Sequence, residues 1–196
     1  GGMYVIIDTT AGERERGSLE PLLINPLPRW QVVTGKLVAS LPFATASLVL
    51  TLVLLYLAFN LISFEEIIGF TMEIRPQSLL LFFLLSLPLL VFASVVQMLV
   101  ATYTRSFKEA QTYLGFLPLV AGFPSIFLAF LPVRPGMANM MIPAYSQSVL
   151  INQVMRGETI LPQNIAMSVI ATLVISAVLI AVSFLLYQRE HIVFGR

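Results

Sequence analysis

Glu13, Arg14, Glu15 and Arg16 stand side by side in the stretch AGERERGSLEPLL (residues 11–23), and Glu20 follows shortly after. Opposite charges on adjacent helical positions point in different directions, so they are poorly placed to pair with one another. They are free to pair with something else, and a helix this short is not stable alone. The alternating signs nearly cancel, which argues against a non-specific attraction to anionic lipid. The chemistry such a cluster suits is ion pairing with a soluble partner. Arg14, Arg16 and Glu20 are the expected contacts, with Leu19 as the apolar anchor.

Other chemistry-bearing residues are sparse. There are no cysteines, which excludes disulfides, thiolate metal sites and thiol catalysis. His191 is the single histidine and stands beside Glu190, with no ligand partner at metal spacing. Met137, Met140, Met141 and Met155 gather in one connection. Methionine can serve a soft-metal site, but flexible apolar filling is its commoner use. TGKL at 34–37 holds a Gly-Lys pair, yet Trp30 stands where a phosphate loop needs glycine and Leu37 replaces its Ser or Thr. No bound nucleotide, metal or other cofactor is expected on this chain.

The elements that must position the cluster follow from composition. The chain has 196 residues, of which 58% are hydrophobic and 11% charged, with a mean hydropathy of +0.90. A soluble domain carries about 25% charged residues, and a chain with so few could not cover its surface in water. The expected fold is all-α, a polytopic transmembrane helix bundle. Four uncharged stretches, 37–62, 78–104, 113–133 and 165–187, reach the roughly 20 residues that cross a bilayer. Residues 1–7 read as the end of a truncated transmembrane helix, 8–36 as a charged elbow and 37–196 as the bundle, with an outer interfacial segment at 134–164. Within that segment, Ser146 to Met155 suits a helix at the outer interface.

Eight Lys and Arg flank one side (Arg14, Arg16, Arg29, Lys36, Arg105, Lys108, Arg189, Arg196) and three the other (Arg75, Arg134, Arg156). The elbow, the 105–112 connection and the C-terminus are therefore expected in the cytoplasm. An Arg or Asp at the membrane centre costs about 2.5–3.5 kcal/mol, so the charge density at 13–20 holds that segment in water. Thr10 and Glu13 match a capping box and Gly17 a C-terminal stop. Ser18 is the expected cap of a second helix, with Pro21 in its first turn.

The third span, YLGFLPLVAGFPSIFLAFLPV, contains Pro118, Gly122 and Pro124. Proline removes a backbone donor and clashes with the preceding turn. Such breaks survive in lipid where other helices or water satisfy the freed carbonyls. The span is expected to be kinked and packed against protein, either as a hinge lining a pathway or as a kink without a transport role. The spans hold no Asp, Glu, Lys, Arg or His, which disfavours a proton- or ion-driven carrier.

The stretch AGERERGSLEPLL followed by PRWQVVTGKL resembles the cytoplasmic elbow of ABC-2-type exporter permeases, close to their sodium-efflux branch. RSFKEAQTYLGFLPL (105–119) resembles that branch's second cytoplasmic connection, IPAYSQSVLINQVMRGE (142–158) its outer segment and LYQREHIVFGR its C-terminus. The resemblance covers essentially the whole chain in matching order. It implies that Glu13, Arg14, Glu15, Arg16, Gly17, Ser18, Leu19 and Glu20 form a coupling helix seated on a separate ATP-binding subunit. ATP and magnesium would then be bound by that subunit, and this chain would be no enzyme. It further implies a second permease copy, a prokaryotic plasma membrane, and efflux of sodium ions or of a small or amphipathic substrate. No nucleic acid is implied. Family permeases carry an earlier helix, often followed by a large outer domain, before the elbow. The alternative is a non-transporting membrane scaffold that docks a cytoplasmic protein through the elbow.

Overall fold

In lipid every backbone group must find its partner within the protein, so long apolar runs wind into helices. The computed structural model describes residues 1–18, 28–61, 76–130, 136 and 138–188, the side chains of 129 and 130 excepted. Helix α1 (Gly2–Ile7) continues without a break through a π-helical turn (Asp8–Gly12) into α2 (Glu13–Glu15). After them come α3 (Arg29–Leu61), α4 (Pro76–Tyr103), α5 (Phe107–Gly115) and α6 (Leu117–Phe130). A 3-10 turn (Asn139–Met141), α7 (Tyr145–Met155) and α8 (Pro162–Gln188) complete the order. No strand occurs among the described residues. Among the described residues, four helical stretches are long and apolar enough to cross a membrane: α3, α4, α5 with α6, and α8. The chain is an all-α, multi-pass membrane bundle.

Three sequence expectations change at this level. The first span begins at Arg29, so Lys36 lies inside a helix and is buried. The third is two helices meeting at Phe116, which places Pro118 in the first turn of α6, where a missing donor does no harm. Its expected packing against protein is met on one side only: Leu128 is buried with Val149 and Leu150 of α7, and Ser125 Oγ donates to Ser148 Oγ at 3.0 Å. Leu119, Val120, Phe123, Ile126 and Phe127 are each more than half exposed, and a Cβ on Gly122 would meet nothing within 4 Å. Apolar side chains gain little by leaving hydrocarbon for protein, so this face suits lipid. Leu19, Glu20, Pro21, Arg75, Arg134, Met137, Arg189, Glu190, His191 and Arg196 lie outside the described residues.

The helices pack where their side chains are small. A Cβ on Gly2 would come within 2.8 Å of the Ala44 Cβ and 2.9 Å of the Ser40 carbonyl oxygen, so only glycine lets α1 approach α3 this closely. On α8, Ser168, Thr172, Ser176 and Ser183 are all buried. Ser176 and Ser183 donate to the carbonyls one turn back, Thr172 and Leu179, at 2.7 and 3.0 Å. Hydroxyls satisfied within their own helix allow close approach at little cost.

The helix expected at the outer interface forms as α7 and buries one face in the bundle through polar contacts. Gln147 Oε1 accepts from the Ala144 N–H (2.8 Å) and from Ser146 Oγ (3.1 Å), while Nε2 donates to Thr172 Oγ1 (2.7 Å). Ser168 Oγ donates to Ser146 Oγ at 2.8 Å. The network also holds Ala144 at φ +65°, a left-handed conformation that a residue with a Cβ adopts only under constraint. Gln147→Leu strands the Ala144 N–H and removes a bond to Thr172. At about 1–3 kcal/mol per stranded buried group, the thermal midpoint in detergent should fall by several degrees. A midpoint equal to the wild type's would show that the network does not hold α7 in place.

Candidate functional site in the charged elbow

Three apolar contacts hold the elbow before its charges matter. Ile6 packs with Val33, Leu37, Val95, Met98 and Tyr187, which joins α1 to α3, α4 and α8. Ile7 and Ala11 pack with Ala110 and Leu114, the buried face of α5. Burial of these residues carries the helix from Gly2 straight through Thr10, so Thr10 is no N-cap and the expected capping box does not form. Its hydroxyl is instead buried without a partner in the π-turn. Single π-turns recur at functional positions in helices.

Each of the four adjacent charges has its own destination. Glu13 Oε2 lies 2.6 Å from Lys36 Nζ, with the lysine side chain 7% and the glutamate side chain 26% exposed. Lys36 also donates to the Thr9 carbonyl and sits 5.9 Å from the Tyr187 ring centre. Arg14 donates to the Thr104 carbonyl at 2.8 Å, just past the end of α4. Burial pushes the pKa of its guanidinium down, with neighbouring Tyr187 acting in the opposite sense. Glu15 Oε2 accepts the Phe107 N–H at 2.7 Å, in the first turn of α5, where an orphan amide and the helix dipole both favour a carboxylate. Arg16 pairs with Asp8 at 2.9 Å, a bond that raises its pKa. That pair is exposed and contributes little to stability.

The cluster therefore corrects the expectation of charges left over for a partner: all four are engaged within the chain. Gly17, as expected, ends the helix. Its φ is +69°, and its N–H donates to the Arg14 carbonyl (3.1 Å) while the Ser18 N–H donates to that of Glu13 (3.0 Å). This pair of bonds is the Schellman arrangement. Ser18 Oγ also donates back to the Glu13 carbonyl at 3.2 Å, so it closes the helix it follows. Side chains or backbone of Glu15, Arg16, Gly17 and Ser18 remain exposed, alongside Arg105, Lys108, Gln111 and Thr112 of the adjoining connection.

Sequence reasoning missed Asp8, Lys36, Thr104 and Phe107 as partners because the separations, up to 92 residues, carry no local signal. One signal was available. Ser106 Oγ accepts the Glu109 N–H at 3.2 Å and Glu109 accepts the Arg105 N–H at 2.8 Å, and S-x-x-E is the spacing that starts a helix. Pro118, Gly122 and Pro124 lie on α6, away from these contacts.

Residues 4–192 match the sequence pattern of the ABC-2 family transporter proteins. The ABC transporter permease protein NatB of Bacillus subtilis (strain 168) is 31% identical over 191 residues, covering 95% of this chain and 47% of that protein. The chain thus spans about half the length of this relative. No solved structure matches. The membrane-crossing helices and the match along nearly all of the chain place it in a family: it belongs to the ABC-2 family of transporter proteins.

Proposed function

We propose that this chain is the membrane-spanning permease part of an ATP-driven exporter, worked through the elbow by a separate ATP-binding subunit. The observation that carries this reading is the wiring of the elbow. Glu13 is tied to α3 through Lys36, Arg14 to the end of α4 through Thr104, and Glu15 to the start of α5 through Phe107. A push on the elbow's outer face would reach three membrane helices through short polar contacts. Residues 13 to 20 then form the coupling segment, Arg16 and Ser18 on its partner-facing side, Leu19 and Glu20 continuing it. ATP and magnesium act on the partner, hydrolysis happens there, and this chain moves.

The break at Phe116, with Pro118, Gly122 and Pro124 beyond it, is the hinge at which α6 bends relative to α5. Two permease copies enclose the pathway. Cargo is a sodium ion or a small amphipathic molecule, a reading that rests on the resemblance to the sodium-efflux branch. The elbow and C-terminus face the cytoplasm of a prokaryotic cell. Topology is checked with single cysteines at Ser18, Lys108 and Thr159, all exposed. The first two should react only with reagents that enter the cytoplasm, and the third from outside; outside labelling at Lys108 would contradict the arrangement. ATP-dependent sodium accumulation in inside-out vesicles bearing the full-length permease and its ATP-binding subunit tests the function. Accumulation that persists without that subunit would count against it.

A further inference from the structure

Counted along the sequence, the charges of residues 13–16 cancel. Counted by contacts, they do not. Glu13 is taken by Lys36 and Arg16 by Asp8, whereas Arg14 reaches a backbone carbonyl and no carboxylate among the described residues. Arg29 does the same from the start of α3, donating to the Tyr187 carbonyl in the last turn of α8 at 2.7 Å. Tyr187 is where these groups meet: Arg29 holds its carbonyl, Lys36 stands 5.9 Å from its ring, and Arg14 follows Glu13, the ion-pair partner of Lys36.

Lys36 and Arg29 thus flank one buried tyrosine with Arg14 close by in the elbow, and Glu13 is the single carboxylate bonded to these cations among the described residues. The two helix C-termini that Arg14 and Arg29 face supply only about half a negative charge each, so among the described residues the cluster stays cationic. Arg14 Nε is also buried with no hydrogen-bond partner, and a half-buried guanidinium lacking an anion is held at a cost.

The level of the cluster identifies the missing anion. It lies at the ends of α3, α4 and α8, where the apolar runs stop. Trp30 and Tyr103, 54% and 63% exposed, stand beside it as aromatic residues do at the headgroup layer. We propose that Arg14 and Arg29, backed by Lys36 and Tyr187, form a binding site for the phosphate of an anionic phospholipid headgroup. A guanidinium offers a planar fork of donors that matches phosphate oxygens. A phosphodiester brings the single negative charge that the cluster lacks. The site is a property of the helix ends and stands whether or not the chain exports anything.

Trp30 adjoins Arg29 and is the only tryptophan in the chain, so it reports on the lipid at this place. The chain is reconstituted in phosphatidylcholine vesicles containing, at equal mole fraction, either brominated phosphatidylglycerol or brominated phosphatidylcholine, and Trp30 quenching is compared. A cation at an anionic surface is worth about fivefold in partition, so phosphatidylglycerol should be enriched at Trp30 about fivefold or more. R14Q/R29Q should bring the ratio near one, while R14K/R29K and the remote pair R105Q/K108Q should keep most of it. Inorganic phosphate in the buffer should not displace the lipid. Equal quenching by the two lipids in the unaltered chain overturns the proposal, as does undiminished enrichment in a folded R14Q/R29Q chain. Displacement by inorganic phosphate would reassign the site to a free anion. Loss of enrichment on adding the ATP-binding subunit would reassign Arg14 to a protein carboxylate.

Discussion

Lys36→Met should lower the stability of the folded permease by about 3 kcal/mol, the low end of what removing one partner of a buried ion pair costs. The lower figure applies because Glu13 keeps 26% of its side chain in solvent, which softens the loss of its partner. Met matches Lys in length, so the change removes charge and donors while keeping most of the apolar stem's packing. What remains is a carboxylate in a mostly buried position and a Thr9 carbonyl without its donor. Adding Glu13→Gln should recover part of the loss, because the two residues are in contact and their effects are not additive. Thermal unfolding of the solubilised full-length protein reads both. An unshifted midpoint in Lys36→Met, or a double variant worse than the single, would show that the pair does not anchor the elbow.

Arg14→Gln should have a small effect on stability and a large one on transport. The hydrogen bond it removes, to the Thr104 carbonyl at 2.8 Å, is one charge-assisted contact worth about 1.5–3 kcal/mol at most, and a glutamine amide keeps a donor in the neighbourhood. Mechanically, though, it is the elbow's direct tie to the end of α4. Arg14 points into the bundle, whereas Arg16 and Ser18 lie on the open side. The inward variant should therefore keep the ATP-binding subunit bound and hydrolysing while export falls by an order of magnitude or more. Lengthening the contact, with Arg14→Lys, should restore part of the transport because the charge and a donor return.

Much of this architecture was legible in the sequence because hydrocarbon leaves so few choices. Uninterrupted apolar runs announced four crossings, and α3, α4, α5 with α6, and α8 cover them. Gly17 was legible as a helix stop because a left-handed residue closing a helix is a local requirement. Thr10 was misread for the opposite reason. Its capping pattern is local, but Ile6, Ile7 and Ala11 bury against four other helices, and that burial outweighs a cap. Lys36 was assigned to the connection because it is charged; its neutralising glutamate lies 23 residues earlier, and nothing in the sequence pairs them. The proline-rich span packs on α7 through one face and leaves the other open, a division its prolines do not encode because irregular backbone says where a helix bends and nothing about which face meets lipid.

The central claim is that the elbow has an outer face that binds the ATP-driven partner and an inner face that moves the spans. One measurement separates the two: the ratio of cargo exported to ATP hydrolysed, taken on full-length permease co-purified with its ATP-binding subunit. Arg14→Gln should co-purify normally, hydrolyse ATP and show a ratio near zero. The outward pair Arg16→Glu with Lys108→Glu should lose the subunit itself, with any residual complex keeping the normal ratio. An Arg14→Gln complex that exports with the unaltered ratio would contradict the account, because the tie between the elbow and α4 would then carry no motion.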